Sequence, residues 1–311
     1  MKYKSIKWKK KKIIIGSRGS RLALIYADRA KNEILKVHSA QDIEIKSITT
    51  EGDKILDRRL SENGGKGLFC KKIEEELLEK KIDIAVHSLK DMPSEETEGL
   101  LTNCFLKRND PREILISREN KKIEDLNSNA IIGTSSFRRE FQLKKMRADL
   151  NYQLIRGNID TRIKKLNNGL YDAIILSYAG IKSLNLNQNI SQTFSTSEII
   201  PSAGQGVIAL QCRKDDSNLI DILKNVNHQL TYNCILAERN VLKILEGDCE
   251  TAVGAFARIE NNKIYIEAEL FSIDGKKRFY NKASKNIEQA LELGKEVGEI
   301  LKKESKNSYK R

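Results

Sequence analysis

The residues best placed for chemistry are an adjacent acid and base, Lys90 and Asp91, at the end of a short apolar run, Ile82-Asp83-Ile84-Ala85-Val86. The run is β-branched and reads as a buried strand, and Pro93 forbids its simple continuation. Ligands of parallel sheets sit beyond the carboxyl ends of the strands, which places the pair where a reaction would occur. As an exposed salt bridge it would instead be worth little.

Three further turns carry groups that seek anions. Arg18 and Ser20 lie in Gly16-Ser17-Arg18-Gly19-Ser20, read as a loop between the strand Ile13 to Ile15 and a helix from Leu22 to about Val37. A helix N-terminus offers free amides and a positive dipole end; an ordinary N-cap beside a solvated arginine fits this loop equally well. Thr134-Ser135-Ser136 caps a helix that begins Phe137-Arg138-Arg139. Hydroxyls, amides and two guanidinium groups together favour a bound anion over surface decoration. Arg156-Gly157-Asn158 opens another helix, with Arg162 one turn in. Cys249 stands in a polar loop, Glu246-Gly247-Asp248-Cys249-Glu250, and is more reachable than Cys234 on its amphipathic helix. Acidic neighbours disfavour a thiolate, so the residues alone read it as incidental.

The elements that would position these groups form a regular series. Ile43 to Ile48 is a strand, Gly64-Gly65-Lys66-Gly67 a loop, and the next helix sets Phe69, Ile73 and Leu77 on one face with Glu76 and Lys80 at i,i+4. That loop lacks the Ser or Thr after Gly-Lys that a Walker motif needs. Up to Val86 the order is βαβαβ. Phe105 to Glu113 reads as a crossover into a second lobe with strands at Ile131 to Gly133 and Tyr171 to Leu176. Pro201 to Gly206 returns the chain to a strand at Val207 to Gln211. Beyond Asn225 a helix spans His228 to Leu245 with Gly247 as its cap. Strands at Ala252 to Arg258, Lys263 to Phe271 and Lys277 to Lys282 turn at Asn261-Asn262 and Asp274-Gly275. A helix from about Asn286 to Lys303 follows. The expected fold is α/β, with two lobes of mixed sheet and a small C-terminal α+β domain. The expected divisions are a basic tail at 1–12, lobe 1 at 13–106 plus 205–224, lobe 2 at 107–204, and a C-terminal domain at 225–311.

With 311 residues the chain has room for two or three cores. It is 32% charged and 39% apolar, polar for a globular protein, yet apolar periodicity marks it as folded. Its net charge is +13, and Lys2, Lys4, Lys7 and Lys9 to Lys12 crowd the first twelve residues. Such a tail could meet nucleic acid or an anionic membrane, although Asn, Lys and Ile abound throughout, which favours compositional bias. Aromatics are 6% of residues and do not interleave the arginines, unlike an RNA-reading surface. No secretory apolar region or membrane-length run is present. Cys70, Cys104, Cys212, Cys234 and Cys249 are odd in number with no CxxC, and His38, His87 and His228 are scattered. No metal site is expected, and a reducing cytoplasm fits best.

Taken together the motifs resemble the porphobilinogen deaminase (hydroxymethylbilane synthase) family from Ile13 to about Lys303. The resemblance rests on Ile15 to Ser20, Gly64 to Phe69, Ile84 to Asp91, Gly133 to Arg139, Arg156 to Asn158 with Thr161-Arg162, Gly204 to Gly206 and Glu246 to Cys249. It implies two periplasmic-binding-protein-like lobes and a covalent dipyrromethane cofactor held by a thioether to Cys249. Four porphobilinogens would then be added head to tail with loss of ammonia, and the linear tetrapyrrole released by hydrolysis. Asp91 matches the catalytic carboxylate. Arg18, Lys66, Lys90, Arg138, Arg139, Arg156 and Arg162 match basic ligands of the pyrrole acids, with Ser20, Ser88, Thr134, Ser135, Ser136, Gly157 and Gln205 completing the binding set. Glu62 stands where the family commonly has lysine, and Ser183 where it often has arginine. Asp248, Glu250 and Ala252 replace the usual Gly, Gln and Pro around the cysteine. The expected partner is a small-molecule substrate, porphobilinogen, with neither nucleic acid nor membrane, and the chain is expected to act as a cytoplasmic monomer. A non-catalytic two-lobe module for small anions is the alternative.

Overall fold

The computed structural model describes residues 12–54, 67–247 and 251–310. Its elements run β1 (Ile13–Arg18), α1 (Arg21–Val37), β2 (Ile43–Ile48), α2 (Glu51–Lys54), α3 (Lys71–Leu78), β3 (Ile84–Ser88), β4 (Leu100–Phe105), β5 (Glu113–Ser117) and β6 (Ile131–Gly133). Next come α4 (Phe137–Met146), β7 (Asn151–Gln153), α5 (Ile159–Asn167), β8 (Ala173–Ser177), α6 (Tyr178–Ser183), β9 (Gln192–Thr193) and β10 (Ile208–Arg213). The chain continues with α7 (Ser217–Val226), α8 (Gln229–Leu245), β11 (Val253–Glu260), β12 (Lys263–Phe271), β13 (Arg278–Asn286) and α9 (Ala290–Ser305).

Strands β5 and β10 are buried throughout, and β3 and β8 over all but their last residue, as befits strands covered on both faces. The first sheet has the order β2-β1-β3-β10-β4. Here β1 is parallel to β2 and β3, while β10 returns antiparallel between β3 and β4. The second sheet, β7-β6-β8-β5-β9, repeats the plan: β6 is parallel to β7 and β8, and β5 is antiparallel to β8 and β9. Parallel neighbours cannot be joined by a hairpin, so α1, α4 and α5 cover the sheets between them. On the first sheet, Tyr26, Ala27, Ala30 and Ile34 of α1 pack against Ile13, Ile15, Ile84 and Val86. The third sheet is an antiparallel meander, β11-β12-β13, whose core is shared with α8 and α9. Asn261 and Asn262, at φ 49° and 58°, make its first turn, since a two-residue hairpin wants both central residues left-handed. The architecture is the expected one of two mixed α/β sheets and a small α+β unit.

Both segments that pass between the first two sheets run side by side. Asn109 N donates to Gly206 O at 2.8 Å, and Gln205 Nε2 donates to Pro111 O at 2.7 Å. Gly206 has φ +79°, and a Cβ there would stand 2.6 Å from Asn109 O, so only glycine fits this approach.

Some boundaries differ from the sequence reading for local reasons. Strand β1 continues through Arg18 because its pairing with β2 extends to Arg18↔Ile48. Strand β3 begins at Ile84, since the buried Asp83 accepts a hydrogen bond from Ile14 N at 2.9 Å and pairs with Arg213 at 3.3 Å. Phe69 precedes α3, and Glu76 pairs with Lys46 at 2.8 Å rather than with Lys80, which lies past the helix at φ 60°. The left-handed cap of α8 is Glu246, at φ 54°, rather than Gly247; its carboxylate binds Lys302 and Lys310. Strand β13 runs on to Asn286, which delays α9 to Ala290.

Candidate active site

Where the strand ends of both sheets meet the C-terminal unit lies a cavity of about 860 Å³. Arg18, Ser20, Ser88, Lys90, Asp91, Ser135, Ser136, Arg138, Arg139, Arg156, Gly157, Arg162 and Gln205 all line it. Thr134 stays buried behind it, its Oγ1 accepting from Ser136 N at 3.2 Å. Lys66, Cys249 and Glu62 lie outside the described residues. On either side of Cys249, however, Gly247 and Thr251 both line the cavity, as does Glu246.

Each anion-seeking turn is built locally. Ser20, Ser136 and Asn158 cap α1, α4 and α5, accepting from the amides of Ala23, Arg139 and Thr161. This is what short polar side chains do at helix starts. Arg18 forms a two-nitrogen pair with Asp53, NH2–Oδ1 2.5 Å and Nε–Oδ1 3.2 Å, and lies 3.9 Å over the Phe69 ring. Burial would raise the Asp53 carboxyl, but donors from Arg18 and Thr50 outweigh it and hold the group below its usual range. Gly157, at φ +106°, turns its carbonyl to Arg162 Nε at 2.8 Å, and Arg162 NH2 reaches Ser135 Oγ at 3.5 Å. Burial, with Arg139 and Arg156 close by, pushes the Arg162 guanidinium down to about 10.

Beyond β3 the chain makes a single 3₁₀ turn, Leu89–Asp91. Lys90 Nζ donates to Gln205 Oε1 at 3.3 Å; burial and then Arg139 lower it to about 8, against the pull of Asp91 and Glu113. The half-buried Asp91 carboxylate makes no hydrogen bond or ion pair with any described residue. Its backbone is better held: the carbonyl accepts from Cys70 Sγ, and Arg239 donates to the next two carbonyls, those of Met92 and Pro93. A carboxylate fixed by its main chain yet unpaired at its oxygens is open to a cationic or N–H-bearing ligand.

Several residues of the site had no signal in the sequence. Glu113, fully buried at the start of β5, binds Arg138 NH2 through Oε1 at 2.5 Å and Arg139 NH2 through Oε2 at 2.8 Å. Burial would raise this carboxyl, but Arg139, Arg138 and Lys90 hold it down to about 2. His87 also lines the cavity, its Nε2 3.3 Å from Gln211 Oε1, while Gln211 Nε2 donates to Glu74 Oε1 at 2.9 Å. With the amide nitrogen turned to Glu74, the Gln211 oxygen faces His87, so Nε2 carries the ring proton. Burial pushes this imidazole below its ordinary value. Ser183, singled out in the sequence where the family often has arginine, does not line the cavity: it donates to Ala179 O at 2.8 Å.

Comparison with known proteins gives the arrangement its relatives. Residues 13–221 match the family model described as "Porphobilinogen deaminase, dipyromethane cofactor binding domain", and residues 232–303 match "Porphobilinogen deaminase, C-terminal domain". The porphobilinogen deaminase of Staphylococcus carnosus is 42% identical over 296 residues, covering 94% of this chain and 96% of that protein. That of Alkaliphilus metalliredigens is 40% identical over 289 residues, 93% of this chain and 92% of its own. That of Brevibacillus brevis is 42% identical over 296 residues, 95% and 94%. Among solved structures, the methionine-binding protein MetQ is similar at a TM-score of 0.45 and 11% identity, over 70% of this chain and 90% of that one. With two family models spanning both sheets and the C-terminal unit, and relatives at 40% identity or more along nearly the whole length, the chain belongs to the porphobilinogen deaminase family.

Proposed function

We propose that this chain joins four porphobilinogen units head to tail onto an enzyme-bound dipyrromethane, and then hydrolyses the product free as hydroxymethylbilane. The observation that carries the proposal is the unpaired Asp91 carboxylate, in one cavity with arginines from both sheets and with both flanks of Cys249. The residues present suit a dipyrrole. It bears four carboxylates and two ring N–H groups, and the cavity answers with Lys90, Arg18, Arg138, Arg139, Arg156 and Arg162 for the acids and Asp91 for the N–H groups. Arg139 Nε is buried without a hydrogen-bond partner among the described residues, a donor left for such a ligand. Cys249, on the arm after α8, is proposed as the thioether attachment point. The bound cofactor would supply the nucleophilic ring carbon on which the chain grows.

In this scheme each incoming porphobilinogen loses its aminomethyl nitrogen as ammonia, and positive charge spreads over the pyrrole as its C–N bond breaks. Asp91 would face the ring N–H and stabilise that charge as it develops; a preorganised carboxylate does this better than water, whose dipoles must first reorient. The nucleophilic ring carbon would have to give up its proton when the new C–C bond forms, and Asp91, unpaired among the described residues, is a base in the cavity that could receive it. The arginines hold the acetate and propionate arms by paired N–H donors, fixing ring orientation. Lys66 is proposed among them on the family match alone.

Lobe 1 at 13–106 plus 205–224, lobe 2 at 107–204 and a C-terminal domain at 225–311 remain the proposed units. Monomeric action in the cytoplasm belongs to the same proposal. The four described cysteines are free thiols, which a reducing compartment preserves. No helix among the described residues is long and apolar enough to cross a membrane.

Intact-mass measurement of protein made in cells tests the proposal. Wild type should carry two condensed pyrrole units, and Cys249→Ser none. A bare wild-type mass would reject both the cofactor and its attachment.

A further inference from the structure

Glu113 stands apart from the polar groups so far assigned, because it does not line the cavity. It is fully buried, and both carboxylate oxygens are taken by guanidinium groups, those of Arg138 and Arg139. These arginines are adjacent on α4 and each about nine-tenths buried or more. Two buried like charges side by side repel strongly unless a counter-ion lies between them. The rest of the geometry shows that the carboxylate aims them as well. Arg138 NH1 is tied to Ile200 O at 2.8 Å and Arg139 NH1 to Ile175 O at 3.3 Å. With NH1 on the main chain and NH2 on Glu113, each guanidinium plane is fixed, and Arg139 Nε–H is left without a partner among the described residues. From the first sheet Lys90 also feels Glu113, together with Asp91, Arg138 and Arg139.

We infer that Glu113 is a positioning residue for the condensation, a shared counter-ion that holds Arg138 and Arg139 ready for the acid arms of an incoming pyrrole. The inference rests on the function proposed above. Glu113 touches no substrate; it acts through the arginines, and its charge balances cations drawn from both sheets.

Kinetics of Glu113→Gln and Glu113→Asp test it. Glu113→Gln keeps the side-chain volume and loses the charge, so KM for porphobilinogen should rise about tenfold or more. The pyrrole adduct should still be present by intact mass. Its alkaline limb of kcat/KM should also move to lower pH, because Lys90 loses a negative neighbour; Asp91, Arg138 and Arg139, the other charges around Lys90, are unchanged. Glu113→Asp restores the charge on a shorter arm and should return the limb while leaving KM between the two. A purely structural role would move stability but not the limb. Wild-type KM and an unmoved limb in Glu113→Gln would overturn the inference. If that variant does not fold, Glu113→Asp decides: a raised KM supports it, and an unchanged one overturns it. A wild type lacking the adduct would count against the proposed function, whereas only the variant-to-wild-type ratio bears on Glu113.

Discussion

Arg108 and Glu238 form a bidentate ion pair, NH1–Oε1 2.7 Å and NH2–Oε2 2.6 Å, between the first crossover and α8. Glu238 is wholly buried and accepts two more bonds, from Gly204 N and Ala257 N, each at 2.8 Å. One carboxylate thus joins both crossovers, α8 and β11. Since α8 leads directly to the cavity-lining Glu246 and Gly247, this pair anchors the helix that ends at the cavity.

Glu238→Gln would leave Arg108 buried with half its partner gone. Breaking a buried pair from one side costs about 3–5 kcal/mol. Urea unfolding should therefore show a loss of about 3 kcal/mol, roughly the lower end of that range. A loss below about 1 kcal/mol, the worth of an exposed pair, would contradict the anchor.

Asp91→Asn removes the charge at the reacting centre without touching the fold, because the native carboxylate has no described partner to lose. The variant should keep its melting temperature and its pyrrole adduct. Steady-state turnover should fall at least about 100-fold, the scale on which positioned acid–base and electrostatic groups act. Activity within a few-fold of wild type would remove Asp91 from the mechanism.

Lys90 sets a pH limit. Its folded value, lowered to about 8, lies below that of the unfolded chain. Activity that needs the ammonium should therefore fall as pH rises through about 8. Stability should respond in the opposite sense. Between about 8 and the ordinary lysine value the unfolded chain binds the proton more firmly, so this group favours the folded state increasingly as pH rises. Glu113 behaves as a lowered acid: its contribution is complete above the ordinary glutamate range and is lost as pH falls toward about 2. A pH–rate profile paired with unfolding at each pH separates these, and an activity plateau extending past pH 9 would clear Lys90 of the role.

What could be read from the chain alone was whatever a few neighbouring residues decide. Ser20, Ser136 and Asn158 cap helices through amides three residues on, so the anion-seeking turns were visible as sequence. The buried strands, the hairpin at Asn261-Asn262 and the alternation along β13 are short-range patterns of the same kind. Folding alone decided which charges answer which. Glu113 meets Arg138 and Arg139 from 25 and 26 residues away, and Glu238 meets Arg108 from 130. Nothing local distinguishes these carboxylates from solvated ones, because burial creates both their pairing and their shifted proton affinities. Asp91 is the converse case: it stood out in the sequence as a charge after a strand and as the match to a catalytic carboxylate, and folding adds that it lies unpaired among the described residues, in one cavity with the arginines.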